Sequence, residues 1–374
     1  MIATRTFESE WITNLSKKFG SERGRGTRSN PELVEKVTKA LHLLELLSQS
    51  ELNFIFKGGT SLLLLLDNIH RFSIDIDIIV EKEKNEVTIQ ELEGVITELV
   101  EKSSVFNDWE ESERKANDVP KSHYKLHYKS AVNESQPHYI LLDVLFEKSH
   151  YEETTFRSIK CDFIEHEDPE VQVKMPTVEC ILGDKLTAFA PLTTGIPYMR
   201  NKELEIIKQL FDVENLFDEV GNLEIVKRTF SQFALQELSY RDKKELSVDN
   251  VLEDIFNTSL IICAQGSVCE GEFKNLQDGV TRIKDFIFSK QYMFRDAVIS
   301  ASKAAYLAQL LLKGKSTVER FNNSDMSDWK VAIPVNVRQS ENDIWRIRNI
   351  NTVKKSSPEA YFYIYKALEL HNQQ

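Results

Sequence analysis

At 374 residues, with 41% hydrophobic and 28% charged residues, the chain has the composition of a soluble globular protein with two or three domains. A formal net charge of −12 excludes a global basic field that would attract nucleic acid, although a local basic patch can still bind it. No signal-peptide pattern, no long apolar run and no CxxC pair among the four cysteines are present. We therefore expect a cytoplasmic protein without a membrane partner.

The first predicted elements are two helices, at 7–19 and 31–50, and the second has Asn30 as its cap and Pro31 in its first turn. Between them lies a Gly/Ser-rich stretch that we interpret as a solvated loop, with a phosphate-contacting arm as the alternative. Five basic residues lie in or just before this stretch: Lys17, Lys18, Arg23, Arg25 and Arg28. The run NFIFK then predicts a short strand or a helix start, the GGT run a turn, and 61–68 a leucine-rich helix.

From Ser73 the apolar period becomes two, which is typical of a strand, and a helix is predicted at 89–102. Strands at 123–129 and 139–147 are predicted to form a hairpin. The remaining strand candidates lie at 154–165 and 171–174.

Beyond residue 177 the pattern is helical. The predicted helices lie at 179–190, 203–219, 222–237, 247–264, 270–289, 291–313 and 357–370. The pattern thus indicates an α+β protein in which helices at 1–50 pack on a mixed-sheet domain at 51–176. A helical C-terminal domain at 177–374 follows.

Paired carboxylates are the clearest chemical feature. Asp75 and Asp77 are two apart in a strand, so both project from one face, opposite a row of isoleucines. Adjacent carboxylates repel unless a cation lies between them, and Mg²⁺ prefers such oxygen ligands. The alternative is an edge strand that shows its polar face to water.

A third carboxylate, Asp143, lies inside the apolar strand HYILLDVLFE, where an ionised group needs a metal, a cation or a proton. A pleat-exposed aspartate, or one paired with Lys148, is the alternative. Three carboxylates from two strands suit a two-metal phosphoryl-transfer site. Just upstream, the turn Gly58-Gly59-Thr60-Ser61 precedes a predicted helix, whose amino end would favour a phosphate.

Two further charged residues lie on predicted helices. Lys185 shares an apolar stripe with Ile181 and Phe189, so it either extends its ammonium to solvent or reaches a site. Asp212 follows Lys208 by one turn, which is also the spacing of an ordinary surface ion pair. Taken alone, Lys185 is best interpreted as extending its ammonium to solvent, and Asp212 as part of a surface ion pair.

Several segments together resemble the AbiEii/AbiGii toxin family of nucleotidyltransferases over about 40–220. These segments are KGGTSL, RFSIDIDII, ILGDKLTAFAPLTTGIPY and KELEIIKQLFDVENLF. Ser73, Asp75 and Asp77 match the family's S-x-D-x-D motif, Lys185 its GDK motif and Asp212 the aspartate of KQLFDV. Two features depart from the family pattern. The gap from Gly59 to Asp75 is longer than the corresponding gap in the wider polymerase-β-like superfamily. The range 225–374 carries no motif that matches the family.

The resemblance implies a polymerase-β-like core and a toxin that transfers nucleotides from NTP to RNA, with the 3′ acceptor end of tRNA favoured. A cognate antitoxin is an implied partner. The metal would be Mg²⁺, as two ions, with Mn²⁺ as an alternative, held by Asp75, Asp77 and Asp143. Asp143 would complete the site for the attacking 3′-hydroxyl, either as a metal ligand or as a base.

Roles for the other residues are predictions that accompany this resemblance. Lys185, oriented by Asp212, would steady the triphosphate charge, with Lys57, Arg71 and Lys208 as further candidates. Ser73 would hydrogen-bond a phosphate. Two other functions stay open, namely nucleotide transfer to a protein hydroxyl and a non-catalytic role in binding nucleotide or antitoxin.

Overall fold

A computed structural model describes residues 1–22, 29–68, 71–112, 119–340 and 343–373. The basic residues Arg23, Arg25 and Arg28 lie outside these ranges. The chain forms two compact units, one of Met1–Thr177 with Asp285–Gln291 and one of Val178–Lys284 with Tyr292–Gln374. Within the described ranges, no helix is both long enough and apolar enough to cross a membrane.

The first unit is built on a five-stranded mixed sheet. Its strands are β1 (Ile55–Lys57), β2 (Ile76–Val80), β3 (Phe106–Glu111), β4 (Lys121–Tyr128) and β5 (His138–Phe146). They are arranged in the order β1-β2-β5-β4-β3. Only the central pair, β2 and β5, is parallel, and the predicted hairpin of β4 and β5 is confirmed. Strand β3 was not predicted, because it is an edge strand whose side chains are mostly exposed and lack a period of two.

Helices and a smaller sheet complete this unit. They are a 3-10 helix (Thr4–Phe7), α1 (Ser9–Glu22), α2 (Pro31–Gln49), α3 (Leu62–Leu65), α4 (Glu86–Lys102), β6 (Thr154–Ser158) and β7 (Gln172–Pro176). The predicted cap of α2 is confirmed, since the Asn30 side chain accepts a hydrogen bond from the amide of Glu32. The leucine-rich helix is shorter than predicted, because the backbone is already extended at Leu66.

The two faces of the five-stranded sheet differ in character. One face is apolar and buried, with Ile76 and Ile78 of β2 at 0% and 1% exposure. Helix α2 packs on this side, where the Lys39 ammonium lies 5.7 Å from the centroid of the Tyr128 ring. The polar residues of β2 and β5 consequently project from the opposite face, which carries the candidate site.

The second unit is mainly helical, as predicted. Its elements are α5 (Val178–Ala188), α6 (Glu203–Glu219), α7 (Leu223–Tyr240), α8 (Val248–Cys263), α9 (Glu270–Ile283), α10 (Phe294–Leu312), β8 (Val335–Ser340), β9 (Asp343–Ile347), a 3-10 helix (Ile350–Thr352), α11 (Val353–Ser356) and α12 (Pro358–Asn372). The expectation of an all-helical region needs one correction, because β8 and β9 pair as an antiparallel hairpin. Each strand has only five or six residues, so the period of two was too short to recognise.

The helix predicted at 270–289 ends at Ile283, and the apolar residues that follow belong to the first unit. The carbonyl of Phe286 accepts a hydrogen bond from the amide of Phe72 at 2.8 Å. The Phe288 ring packs on the rings of Phe19 and Phe72, with centroids 4.4 and 4.8 Å away. These long-range contacts replace the helix that the local pattern favoured, and they place part of the range 177–374 in the first unit.

A pair of glycine substitutions tests how closely α5 and α7 pack. A Cβ on Gly183 would lie 2.9 Å from the amide nitrogen of Phe230 and 3.0 Å from the carbonyl oxygen of Val226. We expect Gly183→Ala to lower the free energy of unfolding by about 1–3 kcal/mol in urea denaturation, because two helix backbones must separate.

The matched control is Gly94→Ala in α4, where the described part of the chain places no heavy atom within 4 Å of the added Cβ. This control is expected to stabilise the protein by about 0.5–1 kcal/mol through helix propensity. Equal effects of the two substitutions would contradict close packing at Gly183.

Candidate active site

Four polar side chains form a row across the sheet, one on each of β1, β2, β5 and β4. Lys57 is in register with Asp77, Asp77 with Asp143, and Asp143 with His123. Residues directly opposite each other in a ladder project from the same face, at a strand spacing of about 4.8 Å. The row therefore places the two aspartates side by side between a lysine and a histidine.

His123 is the member of this row that sequence reasoning missed. Its Nδ1 lies 2.6 Å from Oδ1 of Asp143, and the two side chains are 16% and 23% exposed. The sequence carried a signal for His123, because Tyr124 and Leu126 alternate with it along the predicted strand. Those two side chains are buried, so His123 projects from the opposite face. Asp143 is thus only partly exposed to solvent, and its side chain has His123 as a partner.

The glycine turn lies directly against the row. Gly58 has a φ of +81°, and a Cβ there would meet Oδ2 of Asp77 at 2.1 Å. A Cβ on Gly59 would lie 2.6 Å from Nη2 of Arg71 and 2.8 Å from Oγ of Ser73. Only glycine at both positions lets the backbone come this close to a carboxylate and a guanidinium.

The hydroxyls of Thr60 and Ser61 are used inside the turn. Thr60 Oγ1 donates to the carbonyl of Asp75 at 2.5 Å and lies 3.0 Å from Oγ of Ser73, and Ser61 Oγ donates to the carbonyl of Gly58 at 2.7 Å. Both side chains are fully buried. They therefore support the turn, and α3, with four residues, is too short to act as the phosphate-binding helix that was expected.

The other predicted residues of this unit surround the turn. Arg71 is buried, and its Nη1 donates to the carbonyl of Phe72 at 2.9 Å. Asp75 is exposed just before β2 begins. The Lys57 ammonium lies 5.8 Å from the centroid of the Tyr151 ring. Lys57, Arg71 and the glycine turn therefore lie on the β1 side of the aspartates.

The donor set fits a hard divalent cation, because it consists of carboxylate oxygens on one accessible face. In the described residues, no three His, Cys, Asp or Glu side chains converge closely enough to hold a metal ion by themselves. Asp75, Asp77 and Asp143 are thus not a closed cage. Mg²⁺ in proteins is commonly bound by one or two carboxylates and completes its shell with water and substrate phosphates.

The second unit contains the two remaining catalytic candidates. Nζ of Lys185 on α5 lies 3.0 Å from Oδ2 of Asp212 on α6, and their side chains are 8% and 1% exposed. Asp212 is therefore a buried residue and not a surface one. Lys208 donates to Glu205 at 3.0 Å.

Known proteins that are similar to this chain include a solved structure and a protein family. A crystal structure of an antigenic nucleotidyltransferase-like protein from Paracoccidioides brasiliensis is 14% identical, with a TM-score of 0.35, and the match covers 59% of this chain and 94% of that chain. A likeness at this level carries no argument about activity. No curated protein matches the chain. The family described as "Nucleotidyl transferase AbiEii toxin, Type IV TA system" matches residues 42–306, well over half of the sequence. The chain therefore belongs to the AbiEii family of nucleotidyltransferase toxins.

Proposed function

We propose that this protein is a metal-dependent toxin that transfers a nucleotide from an NTP to RNA, with the 3′ end of tRNA as the favoured acceptor. The observation that carries the proposal is the register of Asp77 with Asp143 on adjacent parallel strands, beside Lys57 and the glycine turn. This arrangement combines oxygen ligands for Mg²⁺ with amides and cations suited to phosphate.

Asp75, Asp77 and Asp143 are the proposed ligands of Mg²⁺, in one or two ions, with Mn²⁺ as a substitute. A bound divalent ion supplies Lewis-acid stabilisation of the charge that develops on the phosphate oxygens. We also assign to Asp143 the role of accepting the proton of the attacking hydroxyl, supported by its 2.6 Å contact with His123.

Phosphate binding is assigned to the β1 side of the carboxylates. Lys57, Arg71 and the amides of Gly58 and Gly59 would bind the triphosphate, and Ser73 would hydrogen-bond one of its oxygens. We further propose that Lys185, held by Asp212, binds nucleotide charge, and that Lys208 has a lesser part in this.

The reaction proposed is attack of the acceptor hydroxyl oxygen on the α-phosphorus. The bond from the α-phosphorus to the bridging oxygen breaks, and pyrophosphate leaves with that oxygen. The hydroxyl proton passes to Asp143 and then to solvent. Since the family comprises toxins of type IV toxin–antitoxin systems, we also propose a cognate antitoxin as a partner and the cytoplasm as the site of action.

The deciding experiment supplies the purified protein with Mg²⁺, each α-labelled NTP in turn, total tRNA and cell protein, followed by a denaturing gel. We expect label in the tRNA band, and none with the Asp75→Asn variant. Label on protein would favour transfer to a protein hydroxyl. Undiminished labelling by Asp75→Asn would reject the proposed metal site.

The glycine turn supplies a separate prediction. Gly58→Ala should lower nucleotide transfer by about 100-fold, because the new methyl group displaces the Asp77 carboxylate and a misplacement of about 1 Å has an effect of this size. The left-handed φ adds a strain of about 1–2 kcal/mol. Initial rates with labelled NTP measure the effect.

The control for this prediction is Gly221→Ala, where the added Cβ would lie 3.7 Å from Glu179 in ordinary contact. Its rate should match that of the natural protein. Full activity of Gly58→Ala would show that the turn does not position Asp77.

A further inference from the structure

The two flanks of the Asp77–Asp143 pair are chemically different. On the β1 flank lie Lys57 and the glycine turn, the proposed triphosphate site. On the β4 flank the same sheet face continues from His123 to Lys125 and His127, which are in register with Leu141 and Tyr139 of β5. An attacking hydroxyl must reach the α-phosphorus from the side opposite the leaving pyrophosphate, so the β4 flank is the one left for the acceptor.

Tyr139 is the centre of this flank. It is 41% exposed and is the second residue of β5, before the part of that strand that pairs with β2. The ammonium groups of Lys125 and Lys36 lie 5.3 and 6.0 Å from its ring centroid, and the His127 ring meets it edge-on at 5.9 Å. We call Lys36, Lys125, His127 and Tyr139 the acceptor face.

The spacing of residues along β5 sets the distance from the acceptor face to Asp143. Tyr139 and Asp143 are four residues apart on one face of the strand, which corresponds to about 13 Å. Stacked nucleotides are about 3.4 Å apart, so about four nucleotide steps would separate a terminal nucleotide at Asp143 from one at Tyr139. The acceptor face is therefore matched to a short single-stranded end.

We infer that the acceptor face binds the single-stranded 3′ end of the RNA acceptor, with a base stacked on Tyr139 and phosphates bound by Lys36 and Lys125. The inference rests on the proposed function and identifies the residues that would recognise its acceptor. Single-stranded RNA is recognised by this combination of an exposed ring with adjacent cations.

One contact within the acceptor face has to rearrange on binding. Glu110 on β3 accepts a hydrogen bond from Lys125 at 2.8 Å and lies 3.6 Å from Nε2 of His127. Its side chain is 53% exposed, so this pair is weak in water and a phosphate can replace the carboxylate. In the structure Lys125 donates to Glu110 while its ammonium lies 5.3 Å from the centroid of the Tyr139 ring.

The test compares Tyr139→Ala with Tyr139→Phe, which keeps the ring. The matched control is Phe156→Ala on β6, since Phe156 is a 63% exposed ring of the same unit that lies outside the five-stranded sheet. Binding of deacylated total tRNA is measured by fluorescence anisotropy without NTP, and the KM values for tRNA and NTP are measured in the transfer assay.

Tyr139→Ala should weaken tRNA binding and raise the KM for tRNA by about tenfold, because one base–aromatic stack is lost, while the KM for NTP stays the same. Tyr139→Phe and Phe156→Ala should behave like the natural protein. The inference is overturned if Tyr139→Ala binds tRNA normally, or if its KM for NTP rises equally. Normal tRNA binding together with continued labelling of tRNA would leave the proposed function intact. Label on protein with no tRNA binding by the natural protein would reject both.

Discussion

Asp77→Asn is expected to lower nucleotide transfer by about 1000-fold, which corresponds to about 4 kcal/mol of transition-state stabilisation. Asp77 lies between Lys57 and Asp143 in the sheet and against Gly58, so it is at the centre of the candidate site. The amide keeps the shape of the side chain and loses the negative charge that binds a divalent ion. Steady-state rates at saturating Mg²⁺ and NTP measure the effect.

The comparison for Asp77→Asn is Asp162→Asn, which removes an exposed carboxylate of the same unit that is paired with Lys18. This control should retain its rate and lose no more than about 1 kcal/mol of stability, as is usual for a surface ion pair. Both variants should unfold close to the natural protein in urea. A rate for Asp77→Asn within tenfold of the control would remove Asp77 from the proposed catalytic group.

Lys185→Ala is expected to have the largest effect on stability, lowering the free energy of unfolding by about 3–5 kcal/mol. The substitution leaves Asp212, which is 1% exposed, without the ammonium that lies 3.0 Å from its carboxylate. A buried carboxylate that loses its ion-pair partner is costly. Urea denaturation measures the loss of stability, and the transfer rate is expected to fall as well.

A double variant separates the structural role of this pair from its role in catalysis. Lys185→Met with Asp212→Leu replaces the buried ion pair by apolar side chains of similar volume, which is often neutral or stabilising. We expect the double variant to recover its stability and to remain inactive. Recovery of both properties would show that the ion pair serves the fold alone, and the proposed binding of nucleotide charge by Lys185 would then be wrong.

Local chemistry explains what could be predicted from the sequence. The cap at Asn30, the helix at 203–219 and the alternation around Asp75 and Asp77 depend on neighbours within a few residues. The pairing of β4 with β5 is also local, because a short connection joins them. The family match at 42–306 agrees with the resemblance derived from the same motifs.

Contacts between distant parts of the chain decided the rest. The parallel pairing of β2 with β5 brings Asp77 beside Asp143, and the register of β4 adds His123 to the row. Burial of the aromatic segment around Phe288 ended a helix that periodicity would have continued. Amino-acid composition and spacing specified which residues could carry the chemistry, since side-chain type and strand periodicity are local properties. Only the tertiary structure decided which of them share one face, because strand order and register depend on burying apolar surface across the whole unit.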